Sequence, residues 1–126
     1  MVNKNKKRIL VVEDEPEIRR AISYKLSKEG FEVIEQVSGE NALEFLNSDN
    51  KIDLIWLDLL MPGMGGMKFL EKIKQDNQLK DIPVIVVSVS SGTDKMKKTA
   101  ELHVVEHIIK GQTDLTHIVE KAKKYL

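Results

Sequence analysis

The chain has 126 residues, with 20 Lys and Arg against 20 Asp and Glu, 41% apolar residues and no cysteine. One domain with one contiguous core is the expectation at this length, and disulfides and thiolate metal sites are excluded. The balanced charge argues against a globally basic nucleic-acid binder, and the chain has neither a signal-peptide pattern at its start nor an apolar run long enough to span a membrane.

Met1 to Arg8 reads as a polar, basic tail. Ile9 to Val12 is a short, continuously apolar run stopped by Glu13, Asp14 and Glu15, the pattern of a strand covered on both faces. Pro16 suits the first position of a helix, and Ile18, Ala21, Ile22 and Leu26 recur at helical spacing. Gly30 is placed to end that helix in the left-handed conformation. Phe31 to Val37 alternates, which predicts a strand nearer the sheet edge with Phe31, Val33 and Val37 on one side. Ser38 is the expected N-cap of a second helix that buries Ala42, Leu43 and Leu46.

Ile52 to Leu57 predicts a third strand, interrupted by Asp53 and ended by Asp58. The loop Met61-Pro62-Gly63-Met64-Gly65-Gly66 leads into a helix with Met67, Leu70 and Ile73 on one side. Ile82 to Val87 is the most strand-like segment, with Pro83 near its start. Ser88 to Gly92 is a small-residue loop, and the helix after it is weak, with Met96 and Ala100 as its main apolar contributions. His103 to Ile109 reads as the last strand. Thr113 or Asp114 caps a final helix that turns Leu115, Ile118, Val119, Ala122 and Leu126 inward. Five alternations of strand and helix predict an α/β fold, a mostly parallel sheet with helices on both faces.

In such a sheet, ligands sit beyond the carboxyl ends of the strands. Glu13 and Asp14 end the first strand, Asp58 the third, and Ser88 and Lys110 follow the fourth and fifth, so five polar groups arrive at one edge. Three carboxylates placed together repel one another and suit a hard cation such as Mg2+. An aspartate held beside such an ion is equipped to attack a phosphoryl donor and form an acyl phosphate, with Lys110 and the Ser88 hydroxyl to receive the product oxygens. Taken alone, the Glu13-Asp14 pair reads as a solvated strand terminus; the other strand ends give it weight.

These residues resemble the receiver domain of two-component response regulators, including the single-domain chemotaxis type. The resemblance runs from about Arg8 to Leu126 and rests on Ile9-Leu10-Val11-Val12-Glu13-Asp14-Glu15-Pro16, on Asp58-Leu59-Leu60-Met61-Pro62-Gly63-Met64-Gly65-Gly66, and on Ser88 and Lys110. It implies a doubly wound, flavodoxin-like receiver fold over residues 9–126, with five parallel strands in the order 2-1-3-4-5. By the same resemblance Asp58 is the phosphoryl acceptor and Glu13, Asp14, Asp58 and the Leu60 backbone carbonyl hold Mg2+. Ser88 is the hydroxyl that moves toward the phosphoryl group, and Lys110 contacts it. A histidine kinase or phosphotransfer protein is the implied donor, a downstream protein or effector domain the implied recipient, and the cytoplasm the implied compartment. The family is not a conventional enzyme, but it catalyses its own phosphorylation from a donor and a slow autodephosphorylation. A homodimer through the face of the fourth helix, fifth strand and fifth helix is also implied.

The chain departs from the family pattern at several positions. Lys110 is followed by Gly111 where the family has proline, which disfavours the cis peptide usual there. His107 occupies the switch position commonly held by Tyr or Phe, where its charge could add pH sensitivity; the plainer account is a satisfied, half-buried histidine. Leu102, His103 and Val104 replace small residues, and Gly65 replaces an acidic one. The alternative function is a phosphorylation-independent interaction module on a receiver fold. A dehalogenase-type phosphatase lacks its second aspartate, since Leu59 and Leu60 follow Asp58, and Ser88 has no glycine-flanked nucleophile elbow. The glycines at 63, 65 and 66 fail a dinucleotide fingerprint and read as turn formers. Direct nucleic-acid binding has little support: Lys95, Lys97 and Lys98 read as a solvated face, and Trp56 reads as core.

Overall fold

A computed structural model describes residues 6–49, 51–61, 63–88, 93–109 and 114–126, with the backbone alone over residues 93–96. Its strands are β1 (Arg8–Val12), β2 (Glu32–Gln36), β3 (Leu54–Asp58), β4 (Val84–Ser88) and β5 (Glu106–Ile109). The helices that follow them are α1 (Pro16–Lys28), α2 (Gly39–Ser48), α3 (Gly65–Lys74), α4 (Thr93–Glu101) and α5 (Leu115–Lys123). All strand pairs are parallel, and the order is β2-β1-β3-β4-β5, as expected.

Alternate strand residues divide the core into two layers. Leu10, Val12, Ile55, Leu57, Val84 and Val86 face Ala42, Leu46, Phe69, Leu70 and Ile73 on one side. Ile9, Val11, Leu54, Trp56, Ile85 and Val87 face Ile22, Leu26, Ile118, Val119 and Ala122 on the other. The three central strands are buried throughout except for half-buried Arg8 at the start of β1, which explains their near-continuous apolar runs. Edge strand β2 has no fully buried residue, consistent with its alternating sequence, and Val37 beyond it is exposed. Arg8 opens β1 one residue before the apolar run. It closes the sheet end opposite the strands' carboxyl termini through Glu32 (2.7 Å), Asp49 (3.0 Å) and its own N–H to Asp53 (2.8 Å), which gives the apolar-strand interruption at Asp53 a structural role.

Several buried stripes are rotated from their expected positions. In α1 Ala21 is exposed and Ser23 buried: at 3.6 residues per turn Ser23 lies about 60° from Leu26 and Ala21 about 140°. Thr99 rather than Ala100 is buried in α4, and Phe69 joins Leu70 and Ile73 in α3 while Met67 is only half-buried. The largest difference is at His103 to Val105, which do not join the last strand. His103 has φ 59°, its N–H donates to Ala100 O (3.1 Å), and the Val104 N–H donates to Thr99 O (3.3 Å). This pair of bonds ends α4 in a left-handed cap, so β5 starts only at Glu106. Gly30 ends α1 in the same way, with φ 95° and bonds from Gly30 N to Ser27 O and Phe31 N to Leu26 O. Pro16 opens α1, and Ser38 and Asp114 cap α2 and α5 through Asn41 N (3.1 Å) and His117 N (2.9 Å). Pro62, the loop 89–92 and Thr113 lie outside the described residues, as does the side chain of Met96.

Candidate functional site

Parallel pairing sets β1 and β3 side by side with Val12 opposite Leu57, so the residues that follow them leave the sheet together. Glu13, Asp14 and Asp58 meet there, each offering a carboxylate oxygen within 4.8 Å of the others. Glu13 and Asp58 are 1% and 4% exposed, whereas Asp14 is half-buried on the open side. At an effective dielectric of 20, two charges this far apart repel by about 3–4 kcal/mol, so an acidic trio with two buried members favours a cation. Oxygen donors, two of them withdrawn from solvent and one accessible, fit Mg2+ better than a soft metal.

Backbone donors fix the orientation of these carboxylates. The Leu60 N–H donates to Asp58 Oδ1 (3.1 Å) and the Glu15 N–H to Glu13 Oε2 (3.2 Å). From α1, Arg19 Nη1 donates to the carbonyls of Glu13 (3.0 Å) and Asp14 (3.4 Å) while its Nε pairs with Glu35 (3.1 Å). Arg19 thus braces the acidic turn without neutralising its carboxylates, a role no local sequence pattern signals.

The turn after Asp58 depends on one glycine for packing. Gly66 N–H donates to Leu59 O (3.1 Å), and a Cβ at position 66 would lie 2.4 Å from Asp58 O and 2.5 Å from Leu59 Cα. Gly66 is therefore required by close approach rather than by turn geometry alone. Gly65 has φ 78°, and α3 begins without a side-chain cap, so the missing acidic residue is accompanied by a left-handed backbone that a side chain would strain. Leu60 is exposed beside the site.

Ser88 is the buried last residue of β4, one position past Val87, which pairs with Asp58. Its hydroxyl lies 2.9 Å from His107 Nε2, and His107 Nδ1 lies 2.9 Å from Thr99 Oγ1 in α4. His107 is half-buried and satisfied, the plainer of the two readings, and burial lowers its pKa from the ordinary histidine value. Thr99 was not legible as a site neighbour; its place on the buried stripe of α4 is the signal that could have found it. Lys110 and Gly111 lie outside the described residues. Among the described residues, no helix is long and apolar enough to cross a membrane.

Residues 9–123 match the response regulator receiver domain family. The chain is 30% identical over 119 residues to sporulation initiation phosphotransferase F of Bacillus subtilis, covering 94% of this chain and 93% of that protein. It is 33% identical over 104 residues to the phosphate regulon transcriptional regulatory protein PhoB of Escherichia coli, of which those residues span 45%. Among solved structures, response regulator TrrA of Thermotoga maritima, in complex with Mg2+-BeF, superposes with a TM-score of 0.82 at 34% identity, covering 95% of this chain and 99% of that one. The fold, the acidic trio and these likenesses together make the chain a member of the response regulator receiver domain family of two-component systems.

Proposed function

We propose that this receiver accepts a phosphoryl group on Asp58, with Mg2+ bound by Glu13, Asp14, Asp58 and the Leu60 carbonyl. The observation that carries the reading is the meeting of three carboxylates within 4.8 Å, two of them buried, at the carboxyl edge of a parallel sheet. When bound, Mg2+ supplies charge neutralisation for the approaching phosphoryl oxygens and the trio that receives them. Asp58 attacks phosphorus through one carboxylate oxygen; the new P–O bond forms as the bond to the donor breaks, and the leaving group departs with that electron pair. No base is required, because a carboxylate nucleophile has no proton to lose. The Leu60 N–H on Oδ1 holds the carboxylate in a fixed orientation. The Ser88 hydroxyl and the Lys110 ammonium then bind product oxygens.

The donor is a histidine kinase or phosphotransfer protein, a reading supported by membership of the receiver domain family. Hydrolysis of the acyl phosphate by the same site is the slow return reaction. Residues 9–126, together with Arg8 at the start of β1, form the receiver body behind a polar, basic tail. The output goes to a downstream protein, an effector domain or a second copy through the α4-β5-α5 face, in the cytoplasm and without direct nucleic-acid contact or membrane insertion.

The test is intact-protein mass after incubation with acetyl phosphate and Mg2+, on wild type and Asp58→Ala. A phosphoryl adduct on wild type alone is expected. Wild type without an adduct and without beryllofluoride binding would instead identify a phosphorylation-independent interaction module.

A further inference from the structure

His107 is bonded at both ring nitrogens, to Ser88 Oγ at 2.9 Å and to Thr99 Oγ1 at 2.9 Å. A neutral imidazole has one N–H and one acceptor nitrogen, so one of these hydroxyls donates to the ring and the other accepts from it. Two arrangements satisfy that constraint. In one, the Ser88 hydroxyl donates to Nε2, and Nδ1–H donates to Thr99. In the other, Thr99 donates to Nδ1, Nε2–H donates to Ser88, and the Ser88 proton is released for an acceptor on its other side. The lowered pKa that burial imposes keeps the ring neutral near pH 7, where this choice applies.

The strand register supplies the direction of the relay. Ser88 follows the residue paired with Asp58, while His107 pairs with Val86 on β4, so the ring reaches Ser88 diagonally along one face of the sheet. Thr99 belongs to α4, packed on that face and 1% exposed. A phenyl ring at position 107 lacks both nitrogens and could form neither bond.

We propose that His107 is a positioning residue for Ser88, and that a phosphoryl group on Asp58 selects the arrangement in which Nε2–H donates to Ser88 and Thr99 donates to Nδ1. This rests on the reading of Asp58 and Ser88 above. An anionic phosphoryl group draws the Ser88 hydroxyl proton toward itself; the half-buried ring loses its Nδ1 proton to solvent and takes one from solvent at Nε2, Nε2–H then donates to the serine oxygen, and the Thr99 hydroxyl turns to donate to Nδ1. Charge at the acceptor thereby reaches α4 as a reversal of hydrogen-bond polarity, with the ring retained at its place on the sheet.

The experiment is side-chain 15N NMR of the His107 ring in the full chain, with Mg2+ and beryllofluoride, on wild type, Ser88→Ala and Thr99→Val. The expected wild-type spectrum is that of the Nε2–H tautomer, with the preference weakened in both variants. The Nδ1–H tautomer in the beryllofluoride form, or an unchanged tautomer ratio in Ser88→Ala, overturns the relay. In parallel, His107→Phe slows acetyl-phosphate-dependent phosphorylation about fivefold, the value of one ordinary hydrogen bond, and His107→Gln restores most of that rate. A Phe variant as fast as wild type also overturns it. Absence of both an Asp58 adduct and beryllofluoride binding in wild type overturns the reading of the acceptor itself, and the relay with it.

Discussion

Gly66 lies against the carbonyl of the residue whose carboxylate the site is built around. A methyl group there would have to displace Asp58 O or Leu59 Cα, both backbone atoms, since the added Cβ would lie 2.4 Å and 2.5 Å from them. Gly66→Ala is therefore expected to cost about 2 kcal/mol or more, read from the urea midpoint, and to slow phosphorylation of Asp58 because strand and helix separate. An alanine variant with wild-type stability would show that the turn gives way without cost. The sequence marked this glycine as a turn former, since close approach by atoms from neighbouring residues has no compositional signature. It is also the residue in this segment with the smallest tolerance, while Gly65 beside it is constrained by its φ and has open space around its Cβ position.

Helix ends repeat one solution with different residues. α1 ends at Gly30 and α4 at His103, both in the left-handed region, and both with the paired carbonyl bonds of the same cap. A histidine there carries a steric cost of about 1–2 kcal/mol that glycine avoids, so His103→Gly is expected to raise stability by about 1 kcal/mol in a urea titration. No gain would mean that the imidazole makes up the cost elsewhere. The cap also explains why β5 is shorter than the expected His103 to Ile109: His103 to Val105 looks strand-like, but His103 and Val104 complete the end of α4. Elements bounded by proline, serine or aspartate caps, such as α1, α2 and α5, were legible because their signals are local. The phase of the α1 and α4 stripes was not, because a small or hydroxyl residue fits a crowded interface that a pattern of apolar letters passes over. At the start of α5, His117 N–H and then its side chain hold the Asp114 pKa below the ordinary 3.8. A lowered folded-state pKa means that this stabilisation is present above the unfolded value and disappears as pH falls through the folded one. The stability difference between wild type and Asp114→Ala should accordingly shrink as pH falls below the ordinary carboxylate value, and a difference that stays constant on acidification would rule out the carboxylate as its source.

At the scale of the whole molecule, one topological fact organises the site: five parallel strands with their carboxyl ends on one edge. Strand-end residues were therefore legible as a group, and Glu13, Asp14, Asp58 and Ser88 all appear at that edge. The Ser88–His107–Thr99 connection was not, since it needs the register of β4 with β5 and the rotation of α4 together. The same edge concentrates negative charge on a chain whose formal net charge is zero, so folding gathers carboxylates that an unfolded chain keeps apart. Mg2+ binding the folded trio alone should stabilise the protein by about 1.4 kcal/mol at a concentration ten times its Kd. Asp58→Asn retains a carbonyl oxygen for the Leu60 N–H but removes one of the three charges. In Mg2+-free buffer it is expected to be more stable than wild type by about 1–2 kcal/mol, a screened fraction of the pairwise repulsion, and to lose most of the Mg2+-dependent gain. Urea midpoints for both proteins with and without Mg2+ measure all four states. A wild type indifferent to Mg2+, or an Asn variant with the full Mg2+ response, would show that the acidic edge does not gather a cation through Asp58.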